Sequence, residues 1–368
     1  MSRFTVTYRI FARSEAEARE RALGVALEQT VEVPADVVPE GYIADEIVGR
    51  VEEIGAEGEG RYRAAISYSP DSTGTDLPQV LNVLFGNSSI QKGIKVTALD
   101  LGPLAGAFPG ARFGIRGVRR LAGCGSGPML APVLKPMGSG SATLAEVAYR
   151  SAAAGAHVIK EDHGLADQPA APFEARVEAV AAAVRRANDE TGGNSLYFAA
   201  LAGPAEKLME RARFAKAAGA TGFLVMPGLY GFDLVRRLAE APDLGLPIMT
   251  HPSFLGPYVL SEDTGFTHGM MFGVLQRLAG SDISVFPNVG GRFGFSAAEC
   301  REIARACQST DGIGAPMLPS PGGGMSPERA GEMREMYGDD TVFLLGGALL
   351  RHGDGIGDAV ADLVGSFG

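Results

Sequence analysis

From about Pro128 onward the chain repeats one unit eight times: a short apolar run, a loop of glycine, proline and polar residues, then an amphipathic helix. No other feature restricts the fold as much. The apolar runs are Met129–Leu134, His157–Ile159, Ser195–Leu201, Gly222–Met226, Leu246–Met249, Ile283–Phe286, Pro316–Leu318 and Thr341–Leu345. Helical patterns follow at 141–154, 173–191, 204–218, 231–240, 268–279, 296–309, 326–336 and 355–366. Strands apolar on both faces and alternating with helices belong to a parallel sheet, because each parallel crossover needs a helix's length of chain. Eight such units in roughly 240 residues predict a closed (β/α)8 TIM barrel over 121–368. An open doubly wound sheet would carry a glycine fingerprint after its first strand, whereas Gly123-Cys124-Gly125-Ser126-Gly127 precedes it.

Residues 1–120 read differently, as an N-terminal ferredoxin-like α+β domain. Phe4–Ile10, Ile47–Glu53, Arg61–Tyr68 and Ile94–Leu101 alternate like strands. Ser14–Gln29 and Leu77–Phe85 read as helices, the first capped by Ser14. Gly55–Gly60 reads as a turn, and Leu104–Gly123 as a connector. Strands and helices in that order suit a ferredoxin-like sandwich.

The formal charge of −10 and pI of about 5.1 argue against a general nucleic-acid binder. A local pocket can still be positive, so an anionic small molecule is not excluded. Cys124, Cys300 and Cys307 have no CxxC spacing and suit a reducing cytoplasm. No signal-peptide pattern precedes the first strand and no apolar run approaches membrane length, so a cytoplasmic protein without membrane partners is expected.

Barrel enzymes carry their chemistry at the C-terminal ends of the strands, and that rule sorts the polar residues. Strand 1 runs into Lys135-Pro136, strand 2 into Lys160-Glu161-Asp162-His163, strand 5 into His251-Pro252. Strand 6 is followed by Gly290-Gly291-Arg292. Glycine turns follow strand 7 (Gly322, Gly323) and strand 8 (Gly346, Gly347), where barrels bind phosphate on backbone N–H groups. On strand 2, period-two alternation turns Lys160 and Asp162 to one side and Glu161 to the other. His157 falls on the opposite end of the barrel, and His268 reads as a capping or surface residue.

These residues resemble the large-subunit superfamily of ribulose-bisphosphate carboxylase, and most of all its form IV, the RuBisCO-like proteins of the non-photosynthetic branch. The resemblance runs end to end and rests on Leu134-Lys135-Pro136, Ile159-Lys160-Glu161-Asp162-His163, Phe85-Gly86-Asn87, and Gly338-Asp339-Asp340-Thr341 with Gly346-Gly347. It implies that Lys160 takes up carbon dioxide as a carbamate and binds Mg²⁺ with Asp162. It implies an enolate-directed role for Lys135 and a substrate contact for His251. Arg292 stands near the family's mobile-loop lysine, and Gly322, Gly323, Gly346 and Gly347 stand at the phosphate turns. Asn87 and Glu28 match residues that reach into the site of a partner subunit, which implies at least a homodimer.

Three departures bear on activity. His163 stands where the carboxylase has a glutamate ligand. Pro252 replaces an arginine that holds a phosphate. The strand 6 histidine is absent from Val285-Phe286-Pro287. As a metal ligand His163 would favour Mn²⁺ or another transition ion; as a general base it would leave its place to water. Both readings stand. The resemblance implies a metal-dependent, enolate-forming enzyme that does not fix carbon dioxide. The leading expectation is a decarboxylase of a phosphorylated 3-oxo sugar acid such as 3-oxo-isoapionate 4-phosphate. The alternative is an enolase or isomerase of methionine-salvage sugar phosphates, and a non-catalytic scaffold is a third reading.

Overall fold

The computed structural model describes residues 2–324 and 326–367. Four N-terminal strands, β1 (Phe4–Phe11), β2 (Arg50–Gly58), β3 (Arg61–Tyr68) and β4 (Ile94–Asp100), form a sheet in the order β4-β1-β3-β2. β1 is antiparallel to both neighbours. Its alternate residues Phe4, Val6, Tyr8 and Ile10 are fully buried, which is the period-two pattern read from the sequence. The helix Glu15–Glu28 starts at Ser14, whose hydroxyl accepts from the Glu17 N–H. With the helix Leu77–Phe85 this is the expected ferredoxin-like arrangement.

Two local expectations fail here. The Gly55–Gly60 segment is mostly strand: β2 runs to Gly58 and the turn is Glu59-Gly60. Pairing with β3 overrides the turn-like composition, with register shifts at Val51/Glu53 and Ala56/Gly58 absorbing the misfit. The Leu104–Gly123 connector contains a helix, Gly114–Leu121. Its start is fastened by buried Asp282, whose Oδ1 accepts from the Phe113 N–H (2.9 Å) and the Gly114 N–H (2.7 Å). Arg119 ties the same helix to Asp340 at 2.8 Å.

Eight parallel strands close the barrel: β5 (Met129–Leu134), β6 (Val158–Glu161), β7 (Leu196–Ala200), β8 (Gly222–Val225), β9 (Ile248–Thr250), β11 (Ile283–Pro287), β12 (Leu318–Gly322) and β13 (Val342–Leu345). β12 lies further along the chain than the apolar run Pro316–Leu318 suggested, so Gly322 is its last residue. The remaining strand, β10 (Gly265–Phe266), lies outside the barrel and pairs in parallel with β4, making a fifth strand of the N-terminal sheet. Two residues are too few for an alternation to show in sequence.

The barrel interior is packed by Val133 of β5, Val158 of β6, Phe198 of β7, Leu224 of β8, Met249 of β9, Val285 of β11, Leu318 of β12 and Leu344 of β13, with their same-face neighbours. Two residues further along a strand the same face recurs. That parity carries Lys135, Lys160, Asp162, His251 and Gly346 into the barrel's C-terminal mouth. The register agrees, with Val133 beside Lys160 and Lys160 beside Phe198.

Candidate active site

Lys160 is 1% exposed, among the apolar side chains of the barrel interior. Its Nζ donates to the Glu161 carbonyl at 2.8 Å. Burial lowers its ammonium to about 8, an effect reinforced by Lys135 and opposed by Asp162 and Glu161. The folded value lies below that of a free lysine, so between about pH 8 and 10.5 the unfolded chain holds more protons. The burial cost of the ammonium is therefore relieved as pH rises through that window and is fully present below it.

Asp162 lies between two lysines and a histidine. Its Oδ1 is 3.2 Å from His163 Nδ1 and 3.5 Å from Lys135 Nζ. Burial pushes its carboxyl up, but the His163 hydrogen bond and the charges of Lys160 and Lys135 outweigh this and hold it well below the usual range. The Lys135 side chain lies over the turn after β13: a methyl group on Gly346 would stand 3.3 Å from both Cε and Nζ. Gly346 is thus a floor for Lys135 as well as part of a glycine turn.

His163 and His251 stack with centroids 4.0 Å apart and planes 13° off parallel. The Ser253 backbone N–H donates to His251 Nδ1 at 3.3 Å, and the Ser253 hydroxyl lies 2.9 Å from the same nitrogen. Nδ1 is therefore an acceptor, and Nε2 carries the ring proton. Burial, then the charges of Lys160 and His163, drive the His251 pKa well down, so the ring is neutral.

The remaining expected residues are arranged as follows. Gly322 ends β12 and Gly323 follows it, and Gly346 and Gly347 follow β13. The loop after β11 packs on the glycine turn of β12 so closely that a Cβ on Gly324 would sit 2.6 Å from Gly291 Cα. Arg292, in that loop, is exposed and lies over the Phe293 ring at 5.0 Å, and among the described residues no hydrogen bond or ion pair joins it to the lysines or histidines of the mouth. Asn87 donates to Glu28 at 3.0 Å and also to Glu32, on an exposed face of the N-terminal unit.

His157 accepts from the Leu130 N–H at the opposite end of the barrel, as expected. His268 is not a surface residue: it is 7% exposed and meets the Phe295 ring edge-on at 4.5 Å. It packs against Phe295 and Glu299, about thirty residues further along, a contact that helical periodicity does not encode.

One supporting group escaped the sequence reading. Glu161 faces away from Lys160 and is fully buried with Arg176, their side chains 2.8 Å apart. Its carboxylate also accepts from Tyr197 Oη (2.8 Å) and the Ala200 N–H (2.9 Å). Arg176 in turn donates to the Ala166 and Ala171 carbonyls, clamping the loop that carries Asp162 and His163. An Arg in the first turns of the helix after a strand ending in Glu is the only trace of this in the sequence.

The mouth of this TIM barrel thus brings together a buried lysine, a carboxylate, a second lysine and a neutral histidine beside glycine turns. Residues 114–292 match the family model of the ribulose bisphosphate carboxylase large chain, catalytic domain. A 5-methylthioribulose-1-phosphate isomerase of Rhodospirillum rubrum is 38% identical over 369 residues, covering 99% of this chain and 96% of that protein. A 2,3-diketo-5-methylthiopentyl-1-phosphate enolase of Bacillus pumilus is 31% identical, covering 96% and 89%. The crystal structure of a RuBisCO-like protein from Rhodopseudomonas palustris superimposes with a TM-score of 0.86 at 35% identity, covering 100% of this chain and 98% of that one. The chain belongs to the ribulose-bisphosphate carboxylase large-chain family, as a RuBisCO-like protein of form IV. No helix among the described residues is long and apolar enough to cross a membrane.

Proposed function

We propose that this protein is a metal-dependent isomerase or enolase acting on a phosphorylated keto sugar by moving a proton next to a carbonyl. The observation that carries the reading is Lys160: a lysine 1% exposed, its ammonium lowered to about 8, in register with Asp162 at the mouth of the barrel. The named relatives favour this reading over the decarboxylase of a 3-oxo sugar acid, which would use the same enolate but starts from carbon–carbon cleavage.

Among the described residues, no three His, Cys, Asp or Glu side chains are arranged to hold a metal ion. The donor set is completed when Lys160 is carbamylated. A neutral amine is available near pH 8, and its carbamate supplies hard oxygens beside the ionised Asp162. These residues fit Mg²⁺, with His163 as a third ligand or as an outer partner of Asp162; a nitrogen ligand would shift preference toward Mn²⁺. The ion, when bound, supplies the positive charge that stabilises an enolate.

The chain's own residues then divide the work. Lys135, half-exposed above Gly346, carries the proton between substrate carbons. His251 keeps Nε2–H toward the substrate as a neutral donor. The turns at Gly322-Gly323 and Gly346-Gly347 take the phosphate on backbone N–H groups. Arg292 approaches only if its loop closes. We further propose a homodimer in which Glu28 and Asn87 complete the partner's site, and a division of the chain at about residue 120 into units 1–120 and 121–368.

The test is NMR in D₂O with 5-methylthioribulose 1-phosphate and the 2,3-diketo analogue, after activation with bicarbonate and Mg²⁺. Carbon-bound deuterium and isomerised product are expected, with activation rising as pH passes through about 8. No exchange with either compound, together with carbon dioxide release from a 3-oxo sugar acid phosphate, would hand the site to the decarboxylase.

A further inference from the structure

A cavity of about 630 Å³, lined by none of Lys135, Lys160, Asp162, His163 or His251, lies in the seam between the N-terminal sheet and the barrel. Its volume is in the range of metabolite sites. Its charges are sorted by origin. Arg9 of β1, Arg61 of β3 and Lys95 of β4 line it from the sheet. Glu262, in the segment after β9, and Glu299 and Glu302, on the helix Ala297–Gln308, line it from the barrel. Three cations face three carboxylates, yet among the described residues no ion pair joins the two walls.

Arg9, Glu299 and Glu302 are held within their own walls, Lys95 reaches across to a backbone carbonyl, and bonding capacity is left in reserve. Arg9 pairs with Glu57 of its own sheet. Glu299 caps its helix at Ser296. Glu302 accepts from the Gly269 N–H through Oε1 only, at 3.1 Å. Lys95, 6% exposed, spends one donor on the Ser261 carbonyl. The exposed Arg61 side chain lies against Gly58, close enough to Glu57 to feel its charge, and makes no side-chain hydrogen bond or ion pair among the described residues. The walls do feel one another: burial and Arg9 draw the Lys95 ammonium down while Glu302 and Glu299 pull it up. Buried His268, its pKa lowered chiefly by burial, adds a neutral ring to the acidic side.

We propose that this seam is a binding site for a small zwitterion, with its anionic group against Arg61 and Lys95 and its ammonium against Glu302 and Glu299. A purely anionic or cationic ligand would satisfy one wall and leave the other facing like charge. A zwitterion of amino-acid type satisfies both without upsetting the neutral balance of the cavity. Gly294 and Phe295 also line the cavity, so an occupant touches the end of the loop that carries Arg292.

The test is calorimetric titration of the whole protein with 4-aminobutyrate and 6-aminohexanoate, with butyrate and butylamine as single-charge controls. Saturable binding of a zwitterion is expected, about tenfold or more tighter than either control, as loss of one charged contact implies. Arg61→Ser and Glu302→Gln should each weaken it about tenfold, and Lys135→Met at the barrel mouth should leave it unchanged. Equal binding of zwitterion and controls, indifference to both seam variants, or loss on Lys135→Met would each overturn the proposal. None of these outcomes bears on the isomerase assay.

Discussion

Lys160→Met is expected to lower turnover by about 10³-fold or more, because it removes the group on which carbamate and metal both depend. It is also expected to leave the fold intact or firmer. The methionine has nearly the lysine's volume, and it takes a charge out of an interior that is otherwise apolar. Rate and thermal midpoint should therefore move independently. A parallel fall in midpoint would mean that Lys160 holds the barrel together rather than serving its chemistry. A scaffold role for this protein predicts instead that the variant is indistinguishable in any binding assay.

Arg176→Met carries the largest stability effect. Both members of the Arg176–Glu161 pair are fully buried, and the variant leaves the Glu161 carboxylate without its counter-charge. A buried charge stranded in this way costs about 3–5 kcal/mol. The loss is read as a lower midpoint in urea at unchanged slope. Adding Glu161→Gln should recover part of it, since the amide no longer needs a cation, its oxygen can still accept from the Ala200 N–H, and its NH2 can donate to Tyr197 Oη. If the double variant is as unstable as Arg176→Met alone, the clamp on Ala166 and Ala171 matters more than the ion pair. Where Arg176→Met folds, metal affinity should fall as well, because the loop with Asp162 and His163 loses its anchor.

The eightfold alternation made the barrel legible, and strand parity then placed Lys135, Lys160, Asp162 and His251 in one mouth without any structure. Those inferences rest on local periodicity, which sequence carries directly. What sequence hid is tertiary. Glu161 and Arg176 meet only because a particular helix face lies over β6 and β7. β10 is two residues long and joins a sheet whose other strands end some 165 residues earlier. His268 is buried against Phe295 and Glu299, which lie about thirty residues further along the chain. Arg292 could be placed on the right loop but not near the lysines, because a loop's path is set by its contacts rather than by any periodicity.

The central claim is that Lys160 is the activated lysine of a carbamate-and-metal site. The most direct measurement is a crystal structure after soaking with bicarbonate and Mg²⁺ at about pH 8. The predicted result is extra density on Lys160 Nζ, its bond to the Glu161 carbonyl replaced, with an ion held by the new oxygens and by Asp162. A free Lys160 amine still donating to Glu161, with Asp162 still held by Lys135 and His163 and no ion beside it, would contradict the account.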